Sequence, residues 1–187
     1  MSETRDKRRR NDLDLFVLAL VSDGVSTPYE LKTAAGMSPG ATIPALTRLL
    51  AAGFVLQGKA GPRRRADYRI TATGRRYLKS SWKGLVEDGP SGDRDADLRV
   101  ALLALFVGGD RGLAKDFLRL SSAHRLEAAG KLEEPAESPS LPPLAQWYRR
   151  LRLTSAHALV KGESASVLAM AKALPKKQSG KHKQGRA

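Results

Sequence analysis

Residues 27–53, TPYELKTAAGMSPGATIPALTRLLAAG, carry the signals of two consecutive short helices. Thr27-Pro28-Tyr29-Glu30 combines an N-cap residue, a first-turn proline and the glutamate of a capping box. Ser38-Pro39 repeats the cap and the proline, and opens a helix over about 39–52. Gly36-Met37-Ser38 separates the two helices. This three-residue, glycine-containing turn is typical of a helix-turn-helix.

The flanking residues extend this pattern to a winged helix-turn-helix. An apolar stripe with helical spacing begins at about Asp12 and predicts a first helix. Two short strands are expected at 54–57 and 67–71, around a basic turn, and Thr71 can cap a fourth helix that runs to about Lys83. We therefore expect a winged helix-turn-helix domain over residues 12–83, preceded by a disordered basic arm over residues 1–11.

The second half of the chain is expected to be helical. A polar linker over residues 84–93 leads to apolar residues with helical spacing over residues 94–174, and a disordered basic tail covers residues 175–187. These helices carry more apolar surface than a region of this size easily buries alone, which indicates a dimer interface. The predicted interface residues are Leu98, Leu102, Leu105, Trp147, Tyr148 and Leu151. For the two aromatic residues, a ligand pocket is the alternative to packing.

The fold class that follows is mainly α with a small β-hairpin wing, and the positive charge is concentrated in its first domain. Residues 1–83 contain 16 Lys and Arg against seven Asp and Glu, a net charge of +9. Residues 84–174 contain 12 of each, and the tail adds five basic residues with no acidic ones. A concentrated positive field attracts polyanions. This distribution favours a nucleic acid as the partner of the first domain.

The third helix is the candidate recognition helix, because the second helix of a helix-turn-helix enters the major groove. We expect Ile43, Leu46, Leu49 and Leu50 to pack inward. The opposite side is expected to carry Ala41, Thr42, Ala45 and Arg48, with Thr42 at a base edge and Arg48 at a guanine or a phosphate. Around this helix, the predicted DNA contacts also include Tyr29, Lys32 and Ser38.

The hairpin turn is the candidate wing, over about residues 59–69. Arg63, Arg64 and Arg65 are adjacent at its tip, with Lys59 and Arg69 nearby. Three neighbouring arginines repel each other unless an anion is close. Contact with the phosphate backbone, and entry into the minor groove, are the roles that this composition favours.

The segment from Leu13 to Leu78 resembles the PadR-like transcriptional regulators. The resemblance lies in short motifs in the family's order: YEL (29–31), MSPG (37–40), PALTRL (44–49), GFV (53–55), GPRRR (61–65), YRIT (68–71) and GRR (74–76). It implies a homodimer with a helical C-terminal dimerisation region. The family usually has tyrosine before the proline of the recognition helix, where this chain has Ile43. A phosphate contact through that hydroxyl is therefore not carried over.

Neither catalysis nor a bound cofactor is expected. The chain has no cysteine, its three histidines are far apart in the sequence, and no glycine-rich phosphate loop or GxSxG motif occurs. The longest apolar run, Leu15 to Val21, is far shorter than a membrane span, and no signal peptide is visible. A cytoplasmic, nucleoid-associated protein is expected.

The leading hypothesis is a dimeric repressor that binds an inverted-repeat operator in double-stranded DNA and can respond to a small-molecule effector. The alternative is a winged-helix module that binds a protein partner instead of a specific DNA sequence. The three arginines of the wing discriminate between the two, because only the first hypothesis requires them.

Overall fold

The computed structural model describes residues 2–58, 67–131 and 143–175. Within these ranges the chain forms seven helices and one two-stranded antiparallel hairpin. The elements are α1 (Ser2–Ser22), α2 (Pro28–Ala35), α3 (Pro39–Ala51), β1 (Val55–Gln57), β2 (Tyr68–Ile70), α4 (Ala72–Glu87), α5 (Arg94–Phe106), α6 (Arg111–Lys131) and α7 (Pro143–Ala173). The predicted mainly helical fold with a small hairpin is confirmed, and the arrangement is compatible with a winged helix.

The start of α2 has the predicted capping box. The Thr27 hydroxyl accepts a hydrogen bond from the Glu30 N–H at 3.1 Å, and the Glu30 carboxylate accepts one from the Thr27 N–H at 2.9 Å. The same carboxylate also accepts from the Ser26 N–H at 2.9 Å. These bonds, with that from Ser26 as the largest cause, lower the pKa of Glu30 below its ordinary value. The ionised carboxylate therefore stabilises this helix start.

Replacing Glu30→Gln removes the charge and nearly preserves the shape. A group whose pKa is lowered in the folded state contributes stability above its unfolded pKa and loses it as the pH falls through the folded pKa. We expect E30Q to lower the free energy of unfolding at neutral pH by about 1 kcal/mol, the usual worth of a helix N-terminal interaction. The difference from wild type should be smaller at acidic pH than at neutral pH, because protonation of the wild-type carboxylate removes its contribution.

Urea unfolding of both proteins at the two pH values measures this effect. Glu87→Gln is the matched control, because Glu87 is an exposed carboxylate at the end of α4. It should change stability little at either pH. An E30Q deficit of equal size at both pH values would contradict the charge argument.

Two helix boundaries differ from those predicted. The helix α1 begins at Ser2 instead of about Asp12, so residues 2–11 are helical and not a disordered arm. The stretch over Ser2–Ser22 contains neither proline nor glycine, so nothing in it breaks a helix. The helix α4 extends to Glu87, which leaves a shorter linker than expected before α5. The last element, α7, is one continuous helix.

The hydrophobic core runs through the whole described structure as one cluster. Its centre is α1, which packs against α3, α4, β2 and α5. Leu15, Val17 and Leu18 of α1 are fully buried there. The helices α5, α6 and α7 continue the cluster through residues such as Phe117 and Val167. The N-terminal and C-terminal parts of the chain therefore share apolar packing instead of being held only by the linker.

An ion pair reinforces the contact between α1 and α5. Arg99 donates from Nε to Asp12 Oδ2 at 2.8 Å, and Asp12 is buried. Burial raises the pKa of the Asp12 carboxyl, although the nearby Arg99 opposes this. The pairing fixes α5 relative to α1, because separating the two would leave a buried charge without its counter-ion.

A buried polar network joins α5, α6 and α7. One oxygen of Asp97 accepts from the backbone N–H and the hydroxyl of Ser91, at 2.8 and 2.9 Å. The other accepts from the Ser121 hydroxyl at 2.6 Å and from Arg125 Nη2 at 3.4 Å. Arg125 also donates from Nη1 to Glu163 of α7 at 2.9 Å. Asp97 thus has well-defined partners, and Arg125 bridges two carboxylates.

Candidate nucleic-acid interface

The buried side of α3 fixes how this helix sits on the domain. Thr42, Ala45, Leu46 and Leu49 are buried, and they follow the i, i+3, i+4, i+7 spacing of a single helix stripe. Thr42 is tolerated in the core because its hydroxyl donates to the Ser38 carbonyl at 3.2 Å. Since the polar group is satisfied locally, the threonine packs like a small apolar residue.

The faces of α3 assigned from the sequence are therefore wrong at three positions. Thr42 and Ala45 were expected at the DNA, but both have 0% exposure. Ile43 was expected to pack inward, but it is 52% exposed. The helical spacing of Thr42, Ala45, Leu46 and Leu49 is visible in the sequence. Ile43 was placed in the core instead because it is larger and more apolar than a threonine, whose hydroxyl bond within the helix the sequence does not show. The exposed arc of α3, defined here as Gly40, Ile43, Pro44, Thr47, Arg48 and Ala51, replaces the predicted one.

Arg48 lies on this exposed arc but is engaged within the chain. Its Nη2 and Nε donate to the two oxygens of Asp14 on α1, at 2.6 and 2.8 Å. The side chain of Arg48 is 41% exposed and that of Asp14 is 16% exposed. The hydrogen bonds to Asp14 raise the pKa of Arg48. This bidentate pair fixes α3 to α1, and Asp14 was not among the residues that the sequence singled out.

The other residues predicted to contact DNA, on α2 and at the start of α3, differ in exposure. Tyr29 and Lys32 are exposed on α2, Ser38 is exposed at the N-cap position of α3, and Ala41 is half-buried. The Ser38 side chain makes no capping hydrogen bond, unlike Thr27. Gly36 joins the two helices with φ +65, a backbone conformation that favours glycine. The sharp turn there brings the end of α2 next to the start of α3.

The hairpin follows α3 directly and is short. Leu56 of β1 is opposite Arg69 of β2, and both are exposed. Arg69 pairs with Asp67 through Nη2 and Oδ2 at 3.1 Å. The segment between the two strands contains Lys59 and Arg63-Arg64-Arg65. These four predicted contacts lie outside the described residues, although the strands on both sides place the two ends of the turn together.

The base of the hairpin is anchored to α4. Thr71 caps α4 by accepting from the Gly74 N–H at 2.9 Å, and its hydroxyl donates to the Gly53 carbonyl at 2.8 Å. The rings of Phe54 and Tyr77 stack at 4.1 Å. A Cβ added at Gly74 would be 2.1 Å from the Phe54 carbonyl oxygen. Only glycine at position 74 therefore allows α4 to lie this close to the backbone of Phe54.

The four predicted dimer-interface residues whose side chains the structure describes differ in exposure. Leu98 and Leu102 are half-buried, whereas Leu151 is 60% exposed. Leu105 is only 7% exposed within a single chain, so its assignment to an interface is wrong. It packs in the core that α5 forms with its neighbours. The side chains of Trp147 and Tyr148 lie outside the described part of the structure.

A groove of about 520 Å³ is lined by residues of α1, α4 and α5. Its lining is largely apolar, with Phe16, Leu20 and Phe106, and it also includes the charged residues Asp23, Arg75 and Lys79. Among the described residues, no three His, Cys, Asp or Glu side chains cluster as a metal site requires. None of the helices in the described ranges is both long and apolar enough to cross a membrane.

The comparisons with known proteins add no assignment. The chain matches no protein-family model, and no curated protein matches it.

Proposed function

We propose that this protein is a dimeric transcriptional regulator that binds a specific sequence of double-stranded DNA. The observation that carries the proposal is the exposed arc of α3, which runs along the helix opposite a fully buried stripe. A helix packed on one side and open on the other can lie lengthwise in the major groove, which is about 12 Å wide. In this proposal, α2 and α3 form a helix-turn-helix and the hairpin is its wing.

The charge of the chain supports this proposal. Arg48 is paired with Asp14, so α3 brings little net positive charge of its own to a duplex. Attraction to phosphates must then come from elsewhere, and the segment over residues 1–83 has a net charge of +9 from 16 basic and seven acidic residues. Lys59 and Arg63-Arg64-Arg65 concentrate part of it in the turn of the hairpin. Such residues supply affinity, whereas α3 supplies sequence preference.

The regulator that we propose is a repressor. The motifs between Leu13 and Leu78 resemble PadR-like regulators, and we extend that resemblance to a repressor that occupies an inverted-repeat operator in the cytoplasm. The groove between α1, α4 and α5 is where we would place a small-molecule effector, because its lining is largely apolar and contains a few charged side chains. No catalytic activity is part of this proposal.

In-vitro selection from a random duplex library tests the proposal directly. We expect enrichment of an inverted repeat, and fluorescence anisotropy with the enriched duplex should show tighter binding than with a scrambled duplex of equal length. The logarithm of the association constant should fall linearly with the logarithm of the salt concentration. Selection that enriches no duplex at low salt would overturn the proposal.

The dimer is supported by aliphatic side chains that a single chain leaves uncovered on α7. Leu151 and Leu159 are 60% and 66% exposed, and they lie two turns apart. We expect the double variant L151E/L159E to be monomeric where the wild-type protein sediments as a dimer, because two charges would be buried in the interface. Both positions are exposed, so the variant should keep its helical circular dichroism.

Analytical ultracentrifugation at micromolar concentration measures the assembly. The control variant L168E changes the same residue type on α7, at a position that is 38% exposed and lies on the opposite side of the helix from Leu159. We expect L168E to remain dimeric. A wild-type monomer, or a dimer unaffected by L151E/L159E, would contradict this interface.

A second candidate function is a winged-helix module that binds a protein. The observation that favours it is the pair of exposed apolar or aromatic side chains Tyr29 and Ile43, which are 55% and 52% exposed. Such residues are common at protein interfaces. The selection experiment separates the two functions, because a protein-binding module would enrich no duplex sequence.

A further inference from the structure

The exposed arc of α3 is chemically unusual for a helix proposed to read DNA. Gly40, Pro44 and Ala51 have no polar side-chain atom. The Thr47 hydroxyl donates to the Ile43 carbonyl at 2.9 Å, so its proton is already used within the helix. Ile43 is the one large side chain of this arc without a polar atom, and it is 52% exposed. The centre of the arc is therefore apolar.

The single cation on the arc is not free to read a base. Bidentate recognition of guanine needs the planar guanidinium to face the base edge. The guanidinium of Arg48 instead faces Asp14, with both hydrogen bonds at 2.8 Å or less. Releasing it would leave Asp14, whose side chain is only 16% exposed, without its counter-ion. Direct reading of G·C pairs by α3 is thus disfavoured.

Thymine is the base that offers an apolar group to such a surface. In the major groove of unmodified DNA, only thymine presents a methyl group, at C5. We propose that Ile43 determines specificity by packing against thymine methyl groups in each half-site, while α3 makes little use of hydrogen bonds to bases. This inference rests on the proposed DNA-binding function, and it names the class of site that the protein selects.

Replacing thymine by uracil tests the inference, because uracil lacks only the C5 methyl group. The experiment uses the full-length protein and the duplex enriched by selection, and each thymine of the half-sites is replaced in turn, with dissociation constants measured by anisotropy. We expect the replacement to weaken binding about fourfold at one or two positions in each half-site, the factor that corresponds to one buried methyl group. Thymines outside the half-sites should show no effect.

A double-mutant cycle assigns the effect to Ile43. In I43A the same uracil replacement should change affinity by less than about 1.5-fold, because the partner of the methyl group is gone. I43V keeps a branched aliphatic side chain and should keep a measurable uracil penalty. L120A is the matched control, since Leu120 on α6 is 54% exposed and lies on a helix outside the proposed interface. L120A should show the full wild-type penalty.

The outcomes separate this inference from the function on which it rests. If selection enriches no duplex, the proposed function fails and the inference fails with it. If a duplex is enriched but uracil replacement has no effect, the inference alone is overturned. A uracil penalty that persists in full in I43A also overturns it, since another residue would then contact the methyl group. A protein partner captured on α3 in place of DNA would support the second candidate function and contradict this one.

Discussion

Replacing Arg63, Arg64 and Arg65 together by alanine should weaken binding to every duplex on the order of 100-fold for each half-site at about 0.15 M salt. The reason is counter-ion release. Each arginine that no longer touches a phosphate reduces the slope of log K against log salt by about 0.9, so the three together reduce it by about 2.7 for each half-site. Because phosphates carry no sequence information, the ratio between the selected and the scrambled duplex should change much less.

Anisotropy titrations at four or more salt concentrations measure both the affinity and the slope. The matched control removes the same charge elsewhere: R119A/K161A/K172A changes three exposed cations of α6 and α7. If only net charge mattered, the two triple variants would behave alike. An unchanged salt slope in the wing variant would show that the turn does not contact phosphates.

Gly74→Ala should be the most destabilising small substitution in the N-terminal part of the chain. The added Cβ would be 2.1 Å from the Phe54 carbonyl oxygen and 2.9 Å from its carbon. Both are backbone atoms, so α4 and the start of β1 must separate. That movement would strain the bonds from Thr71 and the stacked ring pair of Phe54 and Tyr77. We expect a loss of about 3 kcal/mol, near the upper end for overpacking.

Thermal unfolding measures this loss, and the same helix supplies the control. A Cβ at Gly84 would meet nothing within 4 Å. Gly84→Ala should therefore stabilise the protein by up to about 1 kcal/mol through helix propensity. For a chain of this size we expect G74A to lower the Tm by roughly 10 °C and G84A to raise it by about 3 °C. Equal shifts in the two variants would contradict the close approach of α4 to the strand.

The elements that the sequence predicted well are those specified by local interactions. The capping box of Thr27 and Glu30 and the cap of Thr71 involve residues three positions apart. Glycines at positions 36 and 53 have positive φ, at +65 and +69, as the ends of short helices often require. Such signals operate within a few residues, so the order of helices and strands is readable without knowledge of the tertiary structure.

The composition of the candidate interface was predicted less well, because it depends on contacts between distant residues. The partner of Arg48 is Asp14, 34 positions earlier in the chain, and no local pattern indicates that pair. The inward placement of Thr42 depends on its hydrogen bond to Ser38, which a hydrophobicity pattern does not consider. Leu105 was assigned to an interface because the sequence does not show that neighbouring helices of the same chain cover this side chain.

The buried bridge from Asp97 through Arg125 to Glu163 limits how α7 can shift along α6. Sliding α7 along α6 by one turn would move Glu163 away by about 5.4 Å, and it would leave a cation that is 3% exposed short of an acceptor. We therefore expect one register for these helices. If two copies associate through α7, this single register fixes the distance between their α3 helices. That distance in turn fixes the number of base pairs between the half-sites.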